Sequence, residues 1–348
     1  MDSHHKSGQN TASQQEWSLQ IPKVELHRHL EGALRFSTLI ELAKKMGQDV
    51  PLDLAAQKKM FLVEEPMKDL ATVLRKFMAT QSVLETQEIL TRITYEAIED
   101  AANEGIRILE LRYAPTFILQ DHSLLSFEKI HSAILKGVAQ AAHLPVAVGL
   151  IGIFQRTMPL VTLEKVMDFF IDTKGTWVGV DLADDEDGFP TQNFVALFSR
   201  AQMHGFPITI HAGEVDTPVS PKNVSNAIKL LGAQRIGHGL QIIHDPVVLQ
   251  EVITANVTLE LCPTSNWLTN GIKSLDTHPF RKLMEAGVKT TINSDDPGVF
   301  GIDLRNEYEL LARSYKMTEK EFTQCNDIAA KASFIPLELK QKYWPRKI

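Results

Sequence analysis

The stretch Val24-Glu25-Leu26-His27-Arg28-His29-Leu30-Glu31-Gly32 predicts the first β-strand of this chain. In a β-strand, side chains alternate between the two faces. His27 and His29 are two residues apart and therefore share a face, close enough to bind one metal ion. Zinc binds neutral imidazole readily. The alternative is a pair of ordinary strand histidines, and the spacing alone does not separate the two.

Seven further apolar runs follow, each ending in polar or glycine-containing residues. The eight runs span 23–29, 106–114, 145–154, 177–183, 207–212, 235–238, 257–262 and 288–295. Helical patterns lie between most of them, at 36–46, 89–103, 161–172, 192–204, 223–231, 279–286 and 306–314. Eight apolar strands alternating with helices predict an α/β fold, a closed TIM-type (β/α)8 barrel. An open doubly wound sheet is disfavoured because no glycine-rich dinucleotide loop follows the first strand.

The domain organisation follows from these runs. Residues 1–16 are polar and contain no apolar secretory core, which predicts a disordered tail. Residues 17–348 are expected to form a single catalytic domain. The segment at about 48–104 is too long for one connection and predicts a helical insertion over one mouth of the barrel. Its helix at 70–84 would act as a lid with apolar contacts to a ligand.

Composition excludes several classes of partner. The formal net charge of -7 argues against a nucleic-acid partner. No apolar run approaches the roughly 20 residues that a membrane span needs. Cys262 and Cys325 are too few for a disulfide framework, which predicts a reducing, cytoplasmic location. The sequence makes no prediction of oligomeric state.

Barrel enzymes carry their active sites at the carboxyl ends of the strands, so the polar residues there test the metal hypothesis. Those residues are His27, His29, His211, Glu214, His238, Asp295 and Asp296. Each alone has a structural explanation, as a packed core histidine, a helix cap or a turn. Together at one rim they favour a metal site.

The chemistry of such a site is hydrolytic. Zinc bound by imidazoles and a carboxylate lowers the pKa of bound water to about 7. A free carboxylic acid beside it can donate a proton, and a free histidine can orient the water. The predicted fourth strand offers no lysine to bridge two ions, so one zinc ion per chain is expected.

Longer motifs run through the same strand ends. They are residues 22–32, Leu109-Glu110-Leu111-Arg112, Val180-Asp181-Leu182-Ala183, His211-Ala212-Gly213-Glu214, Arg235-Ile236-Gly237-His238-Gly239, Cys262-Pro263-Thr264-Ser265-Asn266 and Ser294-Asp295-Asp296-Pro297. In this order, from residue 21 to about 314, they resemble the adenosine deaminase family. The resemblance implies a metal-dependent (β/α)8 hydrolase, in agreement with the strand count.

The resemblance also implies roles for individual residues. The zinc ligands would be His27, His29, His211 and Asp295. Glu214 would protonate the purine ring nitrogen beside the attacked carbon, and His238 would position and deprotonate the attacking water. Asp296 would hydrogen-bond the imidazole part of the purine, and His29 would also contact the substrate. The implied reaction converts adenosine, and 2'-deoxyadenosine, to inosine and ammonia.

Two departures from the family pattern concern the substrate. Asp184 replaces a pocket glycine whose N–H meets the purine, so the N–H is retained but a carboxylate is added. Glu31 stands where adenosine-specific members tend to carry Asp, whereas relatives acting on adenine or aminodeoxyfutalosine carry Glu. The acidic run Asp184-Asp185-Glu186-Asp187 reads either as a pocket-edge loop or as a solvated turn.

The predicted ligand is therefore a small purine nucleoside or base. Adenosine is the first candidate, and adenine or aminodeoxyfutalosine is the alternative. A nucleotide is disfavoured because Glu31, Asp184 and Asp185 would repel a phosphate. A non-catalytic purine-binding protein would be expected to lack a ligand or the acid, and none is missing. Chemistry of the cytidine deaminase type needs a Pro-Cys-x-x-Cys motif that this chain does not have.

Overall fold

The computed structural model describes residues 20–66 and 70–348, so the predicted tail at 1–16 lies outside the described residues. All eight predicted strands are confirmed, with ends that differ by a few residues. They are β1 (Lys23–His29), β2 (Ile106–Tyr113), β3 (Ala147–Gln155), β4 (Gly179–Ala183), β5 (Thr209–Ala212), β6 (Arg235–His238), β7 (Thr258–Leu261) and β8 (Lys289–Ile292).

Helices separate the strands and continue after the last of them. They are α1 (Phe36–Lys45), α2 (Leu54–Phe61), α3 (Leu70–Gln81), α4 (Gln87–Asn103), α5 (Pro115–Leu119), α6 (Phe127–Gln140), α7 (Leu160–Asp172), α8 (Val195–Met203), α9 (Ser220–Leu231), α10 (Pro246–Thr254), α11 (Pro263–Leu268), α12 (Phe280–Glu285), α13 (Pro297–Phe300), α14 (Leu304–Tyr315), α15 (Glu319–Ala332) and α16 (Leu337–Tyr343). Short 3-10 turns lie at Lys174–Thr176, Thr191–Phe194, Leu240–His244 and Leu275–Thr277. In the described residues, no helix is long and apolar enough to cross a membrane.

The strands form the predicted TIM-type barrel. Parallel pairing runs in sequence order from β1 to β4 and from β5 to β8. A parallel bridge between Val180 and Ile208 joins the two halves, and a second, between Arg28 and Asp295, closes the ring. At that closing seam the Asp295 N–H donates to the His27 carbonyl over 3.0 Å, and the His29 N–H donates to the Asp295 carbonyl over 2.9 Å. Closure therefore holds three of the predicted metal ligands together.

The barrel interior is more polar than the apolar strand runs predict. Charged side chains on the strands are almost fully buried, and among them Glu110, Arg112, Asp181, Arg235 and Glu260 form one connected group. They pair across the barrel, with Arg235 bonded to Glu110 and to Glu260 over 2.6 Å each. Burying charges is tolerable only when each is paired, and here the pairs support the site above them.

Helices flank both mouths of the barrel. Three helices, α2, α3 and α4, occupy the predicted insertion at about 48–104. At the opposite mouth, residues of α15 and the segment after it, including Ala329, Ile335 and Trp344, pack on Val24 and Ile108 near the starts of β1 and β2. That mouth is filled, which leaves the carboxyl ends of the strands as the open face. The division into one tail and one domain stays a prediction.

Candidate active site

A cavity of about 500 Å³ opens at the carboxyl ends of the strands. Its floor is polar and consists of His29, His211, Glu214, His238, Asp295 and Asp296. Its wall is largely apolar and includes Phe77, Met78, Phe117, Ile153, Met158 and Phe300. Phe77 and Met78 lie on α3, within the stretch for which the sequence predicts apolar lid contacts.

The four predicted metal ligands converge at the floor. One ligand atom each from His27, His29, His211 and Asp295 lies within 4.8 Å of all the others. Nε2 of His29 is 3.2 Å from Nε2 of His211 and 3.2 Å from Oδ1 of Asp295. Nε2 of His27 is 3.3 Å from the same carboxylate oxygen. Strands β1 and β5 and the segment after β8 together supply a compact set of three imidazoles and one carboxylate.

Two buried carboxylates fix the orientation of the ligand rings. Nδ1 of His27 lies 2.8 Å from Glu260 Oε2, and Nδ1 of His211 lies 3.0 Å from Asp181 Oδ2. A carboxylate only accepts, so each Nδ1 carries the hydrogen and each Nε2 presents a lone pair to the cluster. Nε2 of His27 is buried and makes no hydrogen bond. Converging lone pairs next to a carboxylate fit a cation that prefers nitrogen and oxygen ligands, as zinc does.

Arg112 connects these two carboxylates. Its guanidinium donates to Asp181 Oδ2 over 2.8 Å and to Glu260 Oε2 over 2.7 Å, and all three side chains are fully buried. Burial alone would raise the pKa of Glu260, but Arg112 and Arg235 lower it well below its usual range. Both acids therefore stay ionised and able to accept from the ligand histidines.

Glu214 lies beside the predicted metal ligands. Its Oε2 is 3.5 Å from Nε2 of His238, and its Oε1 accepts from the Thr269 hydroxyl over 3.0 Å. Burial, assisted by the charge of Asp295, raises the pKa of Glu214 to about 7. A carboxyl group with such a pKa holds a proton near neutrality and can donate it to a substrate.

The remaining predicted residues line the same cavity in different ways. Glu31 accepts from the Ala114 N–H through Oε1 over 2.7 Å, while its buried Oε2 has no hydrogen-bond partner. The Asp296 carboxylate lies against Gly32, where an added Cβ would come 1.7 Å from Oδ1. Asp184 is exposed at the rim, and its carboxylate accepts from the Thr157 hydroxyl. Its φ of +86° is a conformation that favours glycine, the residue the family pattern has there.

The whole barrel matches one protein family. Residues 22–345 match the family described as adenosine deaminase. The chain belongs to the adenosine deaminase family. It is therefore a hydrolytic deaminase, acting on a C–N bond of a cyclic amidine, and the predicted family is confirmed.

Known deaminases are similar along nearly the full length. The "Adenosine deaminase" of Pectobacterium atrosepticum is 33% identical over 326 residues, which cover 93% of this chain and 96% of that one. The adenine deaminase of Arthrobacter aurescens has a TM-score of 0.84 and 27% identity, over 92% of this chain and 96% of that one. The N6-methyl-AMP deaminase of Arabidopsis thaliana has a TM-score of 0.81 and 27% identity, over 94% of this chain and 96% of that one. These relatives are named for three different 6-substituted purines.

Within this deaminase, Glu186 is a site residue that the sequence does not identify. It belongs to the acidic run at 184–187 but is buried, unlike a solvated turn residue. Its carboxylate accepts from the backbone N–H groups of Gly213, Glu214 and Val215, over 2.9, 2.8 and 3.0 Å. Glu186 thus holds the loop that presents Glu214. Asn266 and His278, also missed, are buried beside His238.

Gly237 packs directly against the rings of His27 and His211 in this deaminase, which gives a first prediction. A Cβ at this position would lie 2.8 Å from Cε1 of His27 and 3.3 Å from Cγ of His211. Gly237→Ala therefore has to displace the His27 ring, and we expect metal affinity to fall about 10- to 100-fold. Competition against a fluorescent zinc chelator measures this.

The matched control for that substitution is Gly175→Ala. A Cβ at Gly175 meets no atom within 4 Å, so its zinc affinity should equal that of the unmodified protein. Equal affinity in both variants would mean that the His27 ring is free to move aside, or that it does not bind the ion.

Proposed function

We propose that this protein is a zinc-dependent aminohydrolase of adenosine and 2'-deoxyadenosine, with one zinc ion per chain. The observation that carries the proposal is the convergence of three imidazoles and a carboxylate within 4.8 Å, directly below a cavity of about 500 Å³. His27, His29, His211 and Asp295 would hold the ion. When bound, zinc supplies a Lewis acid that makes hydroxide available at neutral pH.

The protein's own residues would position and protonate the purine. Glu214, with its raised pKa, would give its proton to the ring nitrogen beside the attacked carbon. Asp296, fixed against Gly32, would hydrogen-bond the imidazole part of the base. His238, whose Nε2 lies 3.5 Å from Oε2 of Glu214, would contact the attacking water. Addition of water and loss of ammonia leave the 6-oxopurine.

The charge of the cavity supports a nucleoside or a base over a nucleotide. None of the described residues that line it is Lys or Arg, whereas Glu31, Asp184, Glu214 and Asp296 are acidic. A phosphate would lack a cationic partner there and would be repelled. This distinguishes the proposed substrate from that of the relative named for N6-methyl-AMP.

Glu31 provides the contact that discriminates among the remaining purines. Its free Oε2 is buried and requires a donor, which a ribose hydroxyl or a purine N–H would supply. Because Glu31 is longer than the Asp of adenosine-specific members, free adenine or aminodeoxyfutalosine is the second candidate.

A substrate panel tests the proposal. We expect adenosine and 2'-deoxyadenosine to have the highest kcat/KM in ammonia release, and AMP to be at least about 100-fold lower because of charge repulsion. Glu31→Gln replaces the unpartnered Oε2 with an amide NH2, which donates and cannot accept. It should lower kcat/KM by about 10- to 150-fold for a substrate that donates a hydrogen bond to Glu31. Asp184→Gly, which retains the backbone N–H, is the control and should change little.

The outcomes separate the candidates. Faster turnover of adenine or aminodeoxyfutalosine would select the second candidate. A zinc-loaded protein that binds purines but releases ammonia from none of them would be a purine-binding protein instead.

A further inference from the structure

A chain of buried hydrogen bonds reaches His238 from the side opposite the cavity. The Phe280 N–H donates to Nδ1 of His278 over 3.0 Å. Nε2 of His278 lies 3.1 Å from Oδ1 of Asn266, and Nδ2 of Asn266 lies 3.0 Å from Nδ1 of His238. His278, Asn266 and His238 are at most 3% exposed, so water offers no alternative partner to the atoms that form these three bonds.

The backbone N–H of Phe280 sets the direction of every hydrogen bond in this series. A backbone N–H can only donate, so Nδ1 of His278 is an acceptor and its hydrogen lies on Nε2. That hydrogen requires an acceptor, which fixes Oδ1 of Asn266 toward His278 and rules out the flipped amide. The Asn266 NH2 group therefore faces Nδ1 of His238 and donates to it. Nδ1 of His238 must be the acceptor, and its hydrogen lies on Nε2.

We propose that Asn266 and His278 are positioning residues that hold His238 as the Nε2–H tautomer, so that His238 acts as a hydrogen-bond donor to the attacking water. The proposal rests on the deaminase function proposed above. Nε2 of His238 points into the site, 3.5 Å from Oε2 of Glu214. With a hydrogen on Nε2 and an amide donor against Nδ1, neither ring nitrogen has a free lone pair for a proton.

The consequence is that Glu214 handles the first two proton transfers. Glu214 first gives its proton to the ring nitrogen beside the attacked carbon. The resulting carboxylate then takes a proton from the attacking water as the water oxygen forms its bond to that carbon. The carbon–nitrogen bond then breaks, and ammonia leaves with the second water proton. This assignment differs from the water-deprotonating role of His238 that the family resemblance implies.

The tautomers of His238 and His278 can be measured by NMR in the absence of substrate. The full-length, zinc-loaded protein with 15N-labelled histidine is examined by long-range 1H–15N correlation spectroscopy. We expect His238 and His278 each to show a protonated Nε2 and an unprotonated Nδ1, with signals assigned by their loss in His238→Gln and His278→Gln. A His238 with its hydrogen on Nδ1, or on both nitrogens, overturns the proposal. This readout stands even if none of the tested purines is turned over.

Two variants test the effect on the reaction. Asn266→Asp replaces the donor with an acceptor of the same shape and should draw the His238 hydrogen to Nδ1. We expect kcat to fall at least about 100-fold with zinc content unchanged, since a wrong histidine tautomer costs about 10⁴-fold in a serine-protease triad. An Asn266→Asp protein with a switched tautomer and normal kcat would contradict the proposal.

His278 is tested by substitutions that separate packing from hydrogen bonding. His278→Phe retains a ring but frees the Asn266 amide to rotate, and should lower kcat about 10-fold or more with KM nearly unchanged. His278→Gln can still accept from Phe280 and donate to Asn266, and should recover most of the loss. Equal losses in both variants would indicate a packing role only. If either variant fails to fold, the tautomers of the unmodified protein still decide the proposal.

Discussion

Glu214→Gln is expected to lower kcat by a factor of about 10²–10⁴ while leaving bound zinc at its original level. Gln has the same shape as the acid and retains an oxygen that can accept from Thr269. Its amide group cannot release a proton to a ring nitrogen at neutral pH. None of the proposed metal ligands is altered, so the defect is confined to proton transfer. Ammonia release and metal analysis of the same preparation measure the two quantities.

Asp216→Asn is the matched control for this variant. It removes a carboxylate two residues away on the same loop, where Asp216 is about half exposed and 3.6 Å from the Lys273 ammonium. An exposed pair contributes little, so activity should stay within about twofold of the unmodified protein. A Glu214→Gln protein as active as this control would remove the proton-donor role. A loss of zinc would show instead that Glu214 supports the proposed metal site.

The site residues on strand ends could be predicted because strand geometry and barrel topology are strong constraints. Alternation places His27 and His29 on one face, and the carboxyl ends of all eight strands meet at one mouth. Asp295 and His238 lie at or just beyond strand ends and have φ values of +62°. This left-handed conformation is uncommon for residues other than glycine, and periodicity gives no sign of it.

The residues that hold those groups in place could not be predicted. Glu186 bonds to a loop 27 to 29 residues further along the chain, and His278 reaches His238 only through Asn266. Such contacts depend on the course of loops, which sequence patterns do not specify. Nothing in the residues that flank His278 distinguishes it from other loop histidines, so the sequence does not connect it with the site.

Several helices, α6 and α10 among them, and the polar barrel interior were also not predicted. In α6, Gly137 and His131 interrupt the apolar face, and both are buried because they pack against neighbouring elements. In α10 most residues are apolar, so no clear amphipathic face marks the helix. The charged residues within the strands look unfavourable for a core until their partners on other strands are known.

Arg112→Met is expected to destabilise the protein by about 3–5 kcal/mol, because it leaves the buried carboxylates of Asp181 and Glu260 without their shared cation. Met fills a similar volume, so the cost arises from unpaired charge more than from a cavity. The same loss releases the His27 and His211 rings from fixed acceptors, and zinc affinity should fall about 10- to 100-fold. Equilibrium unfolding in urea of the zinc-free protein and chelator competition measure the two effects.

Arg200→Met provides the comparison on the surface. Arg200 bonds to Glu164 and Asp168, but it is about one-third exposed, so water screens the pairs and the expected cost is only about 0–1 kcal/mol. A second test adds Asp181→Asn to Arg112→Met, which removes the carboxylate that is left without a cation, since Glu260 retains Arg235. Partial recovery of stability without recovery of zinc affinity would show that the carboxylate, and not the arginine, orients His211. Equal stability of the two single arginine variants would mean that the buried acids take up protons and no longer need a cation.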